Sequence, residues 1–439
     1  MINRCPQVLR DRASGRLRGV ATVASYLMFL ISLLGSAVAH AEPAWSAFRG
    51  DQAMGSTDRA DLPWQWSESQ NIRWKAKMPG AGASSPCVWG EQILLTCYTG
   101  YFVPGEQGGS LDDLKRHLLA FDRNDGKQLW QYTVPAKLPE EEQIRDHGFA
   151  ANTAAADAER IYVHFGKSGV HAVDHQGKRV WQADVGSQTS GWGTSASPVL
   201  YKDLVLINAS VESESLVALD RDTGKERWRV GGIREAWNTP LIVKSSAGRD
   251  ELIVAIHGKV LAFAPDTGKA LWNCDTDISW YMVPTAVARD GVVYFLGGRS
   301  GTASLAVRCG GSGDVTDTHR IWTSNKGSNV SSPVLYGPHL YWMNDQRGIA
   351  YCADAKSGDV LYEQRLERAD QVYASALRAG ERIYYLARNG TTFVVAANPT
   401  FKQLSVNHLS DGGQFNASPA VDGNHLLIRS DKFLYCIGD

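Results

Sequence analysis

The sequence has no Cys-Cys pair, no C-x-x-C and no C-x-x-C-H, so motifs for zinc knuckles, dithiol redox centres and haem attachment are missing. Cysteine is scarce, with 7 in 439 residues, too few for a disulfide-stapled scaffold. There is no H-E-x-x-H, no phosphate-binding G-x-x-x-x-G-K-[ST] and no G-x-S-x-G, which removes common signatures of zinc peptidases, nucleotide hydrolases and serine hydrolases. Beyond the first twenty residues there is no basic run, and this argues against nucleic acid as a partner.

What is abundant is turn and ring chemistry: 43 Gly and 14 Trp. The N-terminus differs from the rest. Arg4, Arg10, Arg12, Arg16 and Arg18 precede the apolar run VATVASYLMFLISLLGSAVA, which ends in Ala39-His40-Ala41. A basic region, an apolar region and an A-x-A site make residues 1–41 a secretory signal peptide, cleaved after Ala41, and place the protein in the periplasm or outside the cell. The alternative is an anchor left uncleaved, since the run approaches the length of a spanning helix. No cysteine follows the run to carry a lipid. Removing its five Arg and one Asp leaves a chain with a net charge near −5.

The remaining chain repeats one phrase. LLAFDRNDGKQLW (118–130), VHAVDHQGKRVW (170–181), LVALDRDTGKERW (216–228) and VLAFAPDTGKALW (260–272) are close copies. LAVRCGGSGDVTDTHRIW (305–322), IAYCADAKSGDVLY (349–362), FVVAANPTFKQL (393–404) and the half copy FLYCIGD (433–439) are weaker ones. Successive copies start 40 to 52 residues apart. Each reads as a β-hairpin: alternating apolar residues, a turn ending in Gly126, Gly177, Gly224, Gly268 or Gly358, then a strand bearing a large aromatic residue. A second hairpin precedes each phrase. Its starts are SSPCVW, NTAAA, SASPVL, NTPLIV, VPTAVA, SSPVLY, SALRA and ASPAV, eight in all.

Four antiparallel strands per repeat at this period predict an all-β fold, an eight-bladed β-propeller. Trp74, Trp130, Trp181, Trp228, Trp272 and Trp322 are expected to pack between blades. The last repeat lacks its aromatic strand, and NIRWKAKMPG (71–80) is such a strand without a hairpin before it. The N-terminal strand should therefore complete the last blade and close the ring. The expected organisation is a leader (1–41), an N-terminal extension (42–70) and a single propeller domain (71–439). Two long connections, Thr99–His117 and Pro135–Gly148, interrupt the pattern and should lie over one end of the ring.

Repeated A-x-D-x-x-T-G-K-x-x-W after S-P-V starts resembles the pyrroloquinoline-quinone-type repeat of the quinoprotein alcohol dehydrogenases and of BamB-like propellers. The opening WSAFRGDQAMG (45–55) is similar to secreted BamB-like propellers of planctomycete type. The dehydrogenase side of the resemblance implies a quinone cofactor with calcium, held through Glu, Asn and Asp; Glu235, Asn238 and Asp370 are the nearest equivalents here. It also implies a vicinal cysteine pair, which this sequence lacks. The BamB side implies a non-catalytic binder or scaffold, no cofactor, and an envelope protein or peptide as partner.

Loops entering the innermost strands should open on one face of the ring. The candidate ligand-binding face is Trp192, Glu235, Trp237, Asn238, Trp280, Tyr281, Asn329, Asp370, Tyr373 and Asn416. Aromatic rings among amides and acids suit a peptide, with carbohydrate as a further ligand class. A neighbouring pair, Asp146 and His147, has the composition of a general base but reads better as a turn.

Overall fold

The middle strands of each repeat are apolar on both faces, and a lone four-stranded sheet has nothing to bury them against. The computed structural model, which describes residues 45–145 and 147–438, resolves this by stacking eight sheets radially. The expected leader and its alternative as a membrane span lie outside the described residues. Among the described residues no helix is long and apolar enough to cross a membrane.

Within a blade, sequence order is spatial order from the axis outward. Blade 3 is typical: Val199–Tyr201, Leu204–Ala209, Ser215–Asp220 and Glu226–Gly231, with Leu206 opposite Ala218 and Ala218 opposite Trp228. The residue facing the outer aromatic is small: Ala120, Ala172, Ala218, Ala262 and Ala306, then Cys352 and Cys436, while in blade 7 Val394 faces Ser405. A bulge beside this pair twists every outer hairpin at the same place. All six described cysteines are buried free thiols, and burial pushes the Cys274 thiol up to about 11.

Blade 8 is built from both ends of the domain. Ile72–Lys77 pairs antiparallel with Phe433–Ile437, placing Trp74 opposite Cys436. The ring is closed by hydrogen bonds between the first and last strands.

The aromatic of one blade lies on the turn glycine of the next. A methyl group at Gly126, Gly177, Gly224, Gly268 or Gly358 would sit 2.5–2.7 Å from the ring of Trp74, Trp130, Trp181, Trp228 or Trp322. Each indole N–H donates to a backbone carbonyl in that neighbouring turn: Arg123, His175, Arg221, Pro265 and Ala355. Trp272 departs from the rule. The next repeat carries an insertion in place of its turn, and the Trp272 indole donates instead to the buried Glu251 at 2.6 Å. Tyr362 meets Phe401 edge-on at 5.4 Å between blades 6 and 7.

Residues 45–70, expected to precede the domain as an extension, are packed into it. Trp45 and Ser46 accept N–H bonds from Val88 and Ala156, in the innermost strands of blades 1 and 2. Ser56–Thr57 runs parallel to Leu377–Ala379, the innermost strand of blade 7. The segment therefore fills the axis of the ring. Leu62 and Trp66 then bury against the cluster shared by blades 7, 8 and 1.

Gly177 offers a test of the aromatic-on-glycine contact. Its φ of 80° already disfavours a side chain, and the Trp130 ring leaves no room for one. Trp130→Ala is expected to destabilise by about 3 kcal/mol. Gly177→Ala should cost about 1–2 kcal/mol alone and less in the Trp130→Ala background, where only backbone strain remains. Denaturant titrations of the four proteins measure this, and additive costs would refute the contact.

Candidate functional site

All eight hairpin starts carry Ser or Thr at one equivalent position just before the innermost strand. Folding turns this into a ring. The Ser85 N–H donates to the Thr153 hydroxyl, Thr153 to Ser197, Ser197 to Thr239 and Thr239 to Thr285, at 2.9–3.2 Å. Thr285 then donates to Ser332, Ser332 to Ser375, Ser375 to Ser418, and Ser418 back to Ser85, at 2.9–3.3 Å.

Above the ring lies a cavity of about 190 Å³. Six ring residues line it: Ser85, Thr239, Thr285, Ser332, Ser375 and Ser418. Phe48 of the axial segment also lines it, so the channel does not run through. Its wall is aromatic, from Trp192, Trp237, Tyr281 and Tyr373. Tyr281 sits at the centre of the aromatic group, with ring centroids 5.9 Å from Trp192, 5.5 Å from Trp237 and 5.3 Å from Trp280. Cations sit on these rings: Arg145 on Trp192, Arg299 on Trp280 and Arg388 on Tyr373. His147 and Arg299 line the cavity, and among the described residues no Asp or Glu does.

The structure gathers half of the expected face into this cavity: Trp192, Trp237, Tyr281, Tyr373 and Asn416. Trp280 borders it through Tyr281 and Arg299. Asn329 is buried beneath, its amide 3.5 Å from the Tyr281 hydroxyl. Asn238 is part of the scaffold: its amide donates to the Ala255 and Met282 carbonyls and accepts from the Ala255 N–H. Glu235 lies in an adjoining groove and pairs with His257 at 2.6 Å. Asp370 is exposed and bonds the N–H of Gln371. Glu235, Asn238 and Asp370 thus do not converge as calcium ligands, and among the described residues no cluster of His, Cys, Asp and Glu forms a metal cage. The residues do not fit a quinone held through calcium.

Sequence reasoning missed Phe48 and Arg299 and set His147 aside as a turn residue. Phe48 comes from a segment with no repeat, and the other two sit on irregular loops. Asp146, the partner considered for His147, lies outside the described residues. The ring was legible, since the Ser/Thr position recurs, but the recurrence reads as turn chemistry until the blades are closed.

The groove beside the cavity, about 590 Å³, shares Trp237 with it and adds Ser190, Val211, Ile256 and His257. The Trp237 indole is fixed by a 2.8 Å bond to the Gly193 carbonyl. The connection after Pro135 reaches the mouth with Arg145 and His147 and is pinned from below. Arg116 pairs with Glu140 at 2.7 Å, both buried, and Lys167 and Thr189 bond the Pro139 carbonyl and Glu141. Under this loop Glu212 and His164 are fully buried, 3.8 Å apart, with no hydrogen-bond partner for either carboxylate oxygen or ring nitrogen.

A family model described as outer membrane protein assembly factor BamB matches residues 47–192 and 115–364. No curated protein matches significantly. Among solved structures, BamB from Moraxella catarrhalis is 14% identical with a TM-score of 0.58, over 82% of this chain and 97% of that one. Quinohemoprotein alcohol dehydrogenase from Comamonas testosteroni is 11% identical with a TM-score of 0.63, over 90% of this chain and 80% of that one. A quinohemoprotein alcohol dehydrogenase from Pseudomonas putida HK5 is 12% identical with a TM-score of 0.59, at the same coverages. At these identities the likeness is one of fold.

The pair beneath the loop gives the protein a pH signature. Burial raises the Glu212 carboxyl to about 7 and lowers His164 to about 4. Folded Glu212 keeps its proton well above the pH where the unfolded carboxyl loses it. Its stabilising contribution is full below about pH 4.5 and is lost as pH rises through 7. His164 acts oppositely, and stability falls as pH drops from 6.5 towards 4. Glu212→Gln removes only the first effect. The variant should be more stable than the parent at pH 8, and that gain should shrink by about 2 kcal/mol on going to pH 5. Denaturant melts at both pH values measure it, and a gain independent of pH would contradict the burial of an ionisable Glu212.

Proposed function

Because this chain belongs to the outer membrane protein assembly factor BamB family, we propose that it is a non-catalytic binding propeller of the cell envelope whose ligand is a segment of polypeptide. The observation that carries this is Trp237, one fixed ring shared by a blind aromatic cavity and an open groove. A compact ligand needs only the cavity. A chain uses both, with one side chain or end in the cavity and its backbone along the groove. Rigid rings give contact area at little entropic cost, and Trp and Tyr dominate such hot spots.

A role in oxidation has less support. Alcohol oxidation needs a base beside the reacting carbon, and among the described residues no carboxylate lines the cavity. Carbohydrate binding is the second reading, favoured by the exposed rings of Trp192 and Trp280, which suit the faces of sugars. Export through a cleaved leader and action in the periplasm or outside the cell belong to the same proposal.

The test is fluorescence polarisation with a mixture of random octapeptides labelled at the N-terminus. Saturable binding is expected, weakened about tenfold in Trp192→Ala, whose exposed ring should leave the melting temperature unchanged. Saturable binding of pyrroloquinoline quinone with calcium, followed by alcohol-dependent dye reduction, would overturn the proposal.

A further inference from the structure

Six ring hydroxyls line the cavity, and each accepts an N–H from the neighbouring blade. A hydroxyl that accepts in this way still has its hydrogen to donate. None of the six donates to a protein group among the described residues. The cavity floor is therefore a circle of unused donors.

Two guanidinium groups flank that circle without an ion-pair partner among the described residues. Arg49, 2% exposed, bonds the carbonyls of Thr285 and Pro333, the first a ring member and the second next to one. Arg429, 1% exposed, bonds the carbonyl and hydroxyl of Ser84 and the carbonyl of Thr96. One nitrogen of each, Nε of Arg49 and Nη2 of Arg429, has no hydrogen-bond partner. Burial lowers Arg49 to about 9 and Arg429 to about 10, so both are cations at neutral pH. A buried charge without a counterion is strongly destabilising in an apolar setting. Donors at the floor, cations bonded to ring residues and their neighbours, Arg299 and His147 at the wall and, among the described residues, no carboxylate in the lining all favour a negatively charged oxygen group.

We propose that the cavity captures the C-terminal carboxylate of a peptide, whose chain leaves over Trp237 into the groove. This rests on the peptide-binding reading above and adds its orientation and anchor. The groove favours a peptide over an acidic polysaccharide. Glu214 and Glu235 line it, paired with Arg234 and His257, so the groove offers no excess of cations to hold a polymer charged at every unit. A peptide brings one terminal charge and then neutral amides, which suits this mixed lining.

The experiment compares two octapeptide mixtures on the purified protein, identical but for the end: one with a free C-terminal carboxylate, the other amidated. Fluorescence polarisation is expected to show the amidated mixture binding at least tenfold more weakly. Arg299→Gln should weaken the acid mixture and leave the amide mixture unchanged, while Arg299→Lys restores part of the loss. Equal binding of both mixtures overturns the carboxylate anchor and leaves peptide binding standing. Binding of neither overturns both. Retention of the preference in Arg299→Gln, together with competition by free acetate at millimolar concentration, supports an anchor carried by the ring and the buried arginines.

Discussion

Eight backbone N–H groups, one per blade, each find their acceptor on the next blade, and the last returns to the first. Everything at the axis depends on this circle. The residues are buried, so an N–H left without its hydroxyl would lose about 1–3 kcal/mol. No blade satisfies its own inner edge. The aromatic-on-glycine contacts impose the same dependence at the rim, where five of the turns are finished by a ring from the blade before. A blade is thus defined by its neighbours twice, at the centre by a hydrogen bond and at the perimeter by packing.

Architecture was legible because it is repeated. The period, the turn glycines and the lone strand around Trp74 led to eight blades closed by the N-terminal strand, and the structure has that arrangement. Trp272 shows where repetition misleads: its indole obeys the pattern in sequence but bonds Glu251, because the next blade replaced the turn with an insertion. The site was legible only in part. Trp192, Trp237, Tyr281, Tyr373 and Asn416 converge because loops of equivalent place must meet at the axis. Asn238 was misleading for a physical reason, since an amide beside a strand start is as useful for binding backbone as for binding ligand. Arg49 and Phe48 were beyond reach, because nothing local in WSAFRG says that it will lie in a channel built from residues 40 to 370 positions later.

The axial segment breaks the symmetry of the ring. Eight similar blades would leave an eight-fold channel with no preferred direction. Trp45–Thr57 closes one end, contributes Phe48 to the floor and brings a guanidinium to the Thr285–Pro333 side alone. The pinned loop after Pro135 adds Arg145 and His147 on another side. Function in a repeat protein needs such departures, and here they lie in the segments that do not repeat.

The partnership of Ile72–Lys77 with Phe433–Ile437 has a further meaning in the order of synthesis. Residues made first supply the cavity floor and the outer strand of blade 8, and both wait for residues made last. Until Ser418 has been made the circle of hydroxyls is an arc, and until Phe433–Ile437 has been made Trp74 has no sheet to join. In this fold the last blade is finished only when two strands far apart in the sequence have both been made.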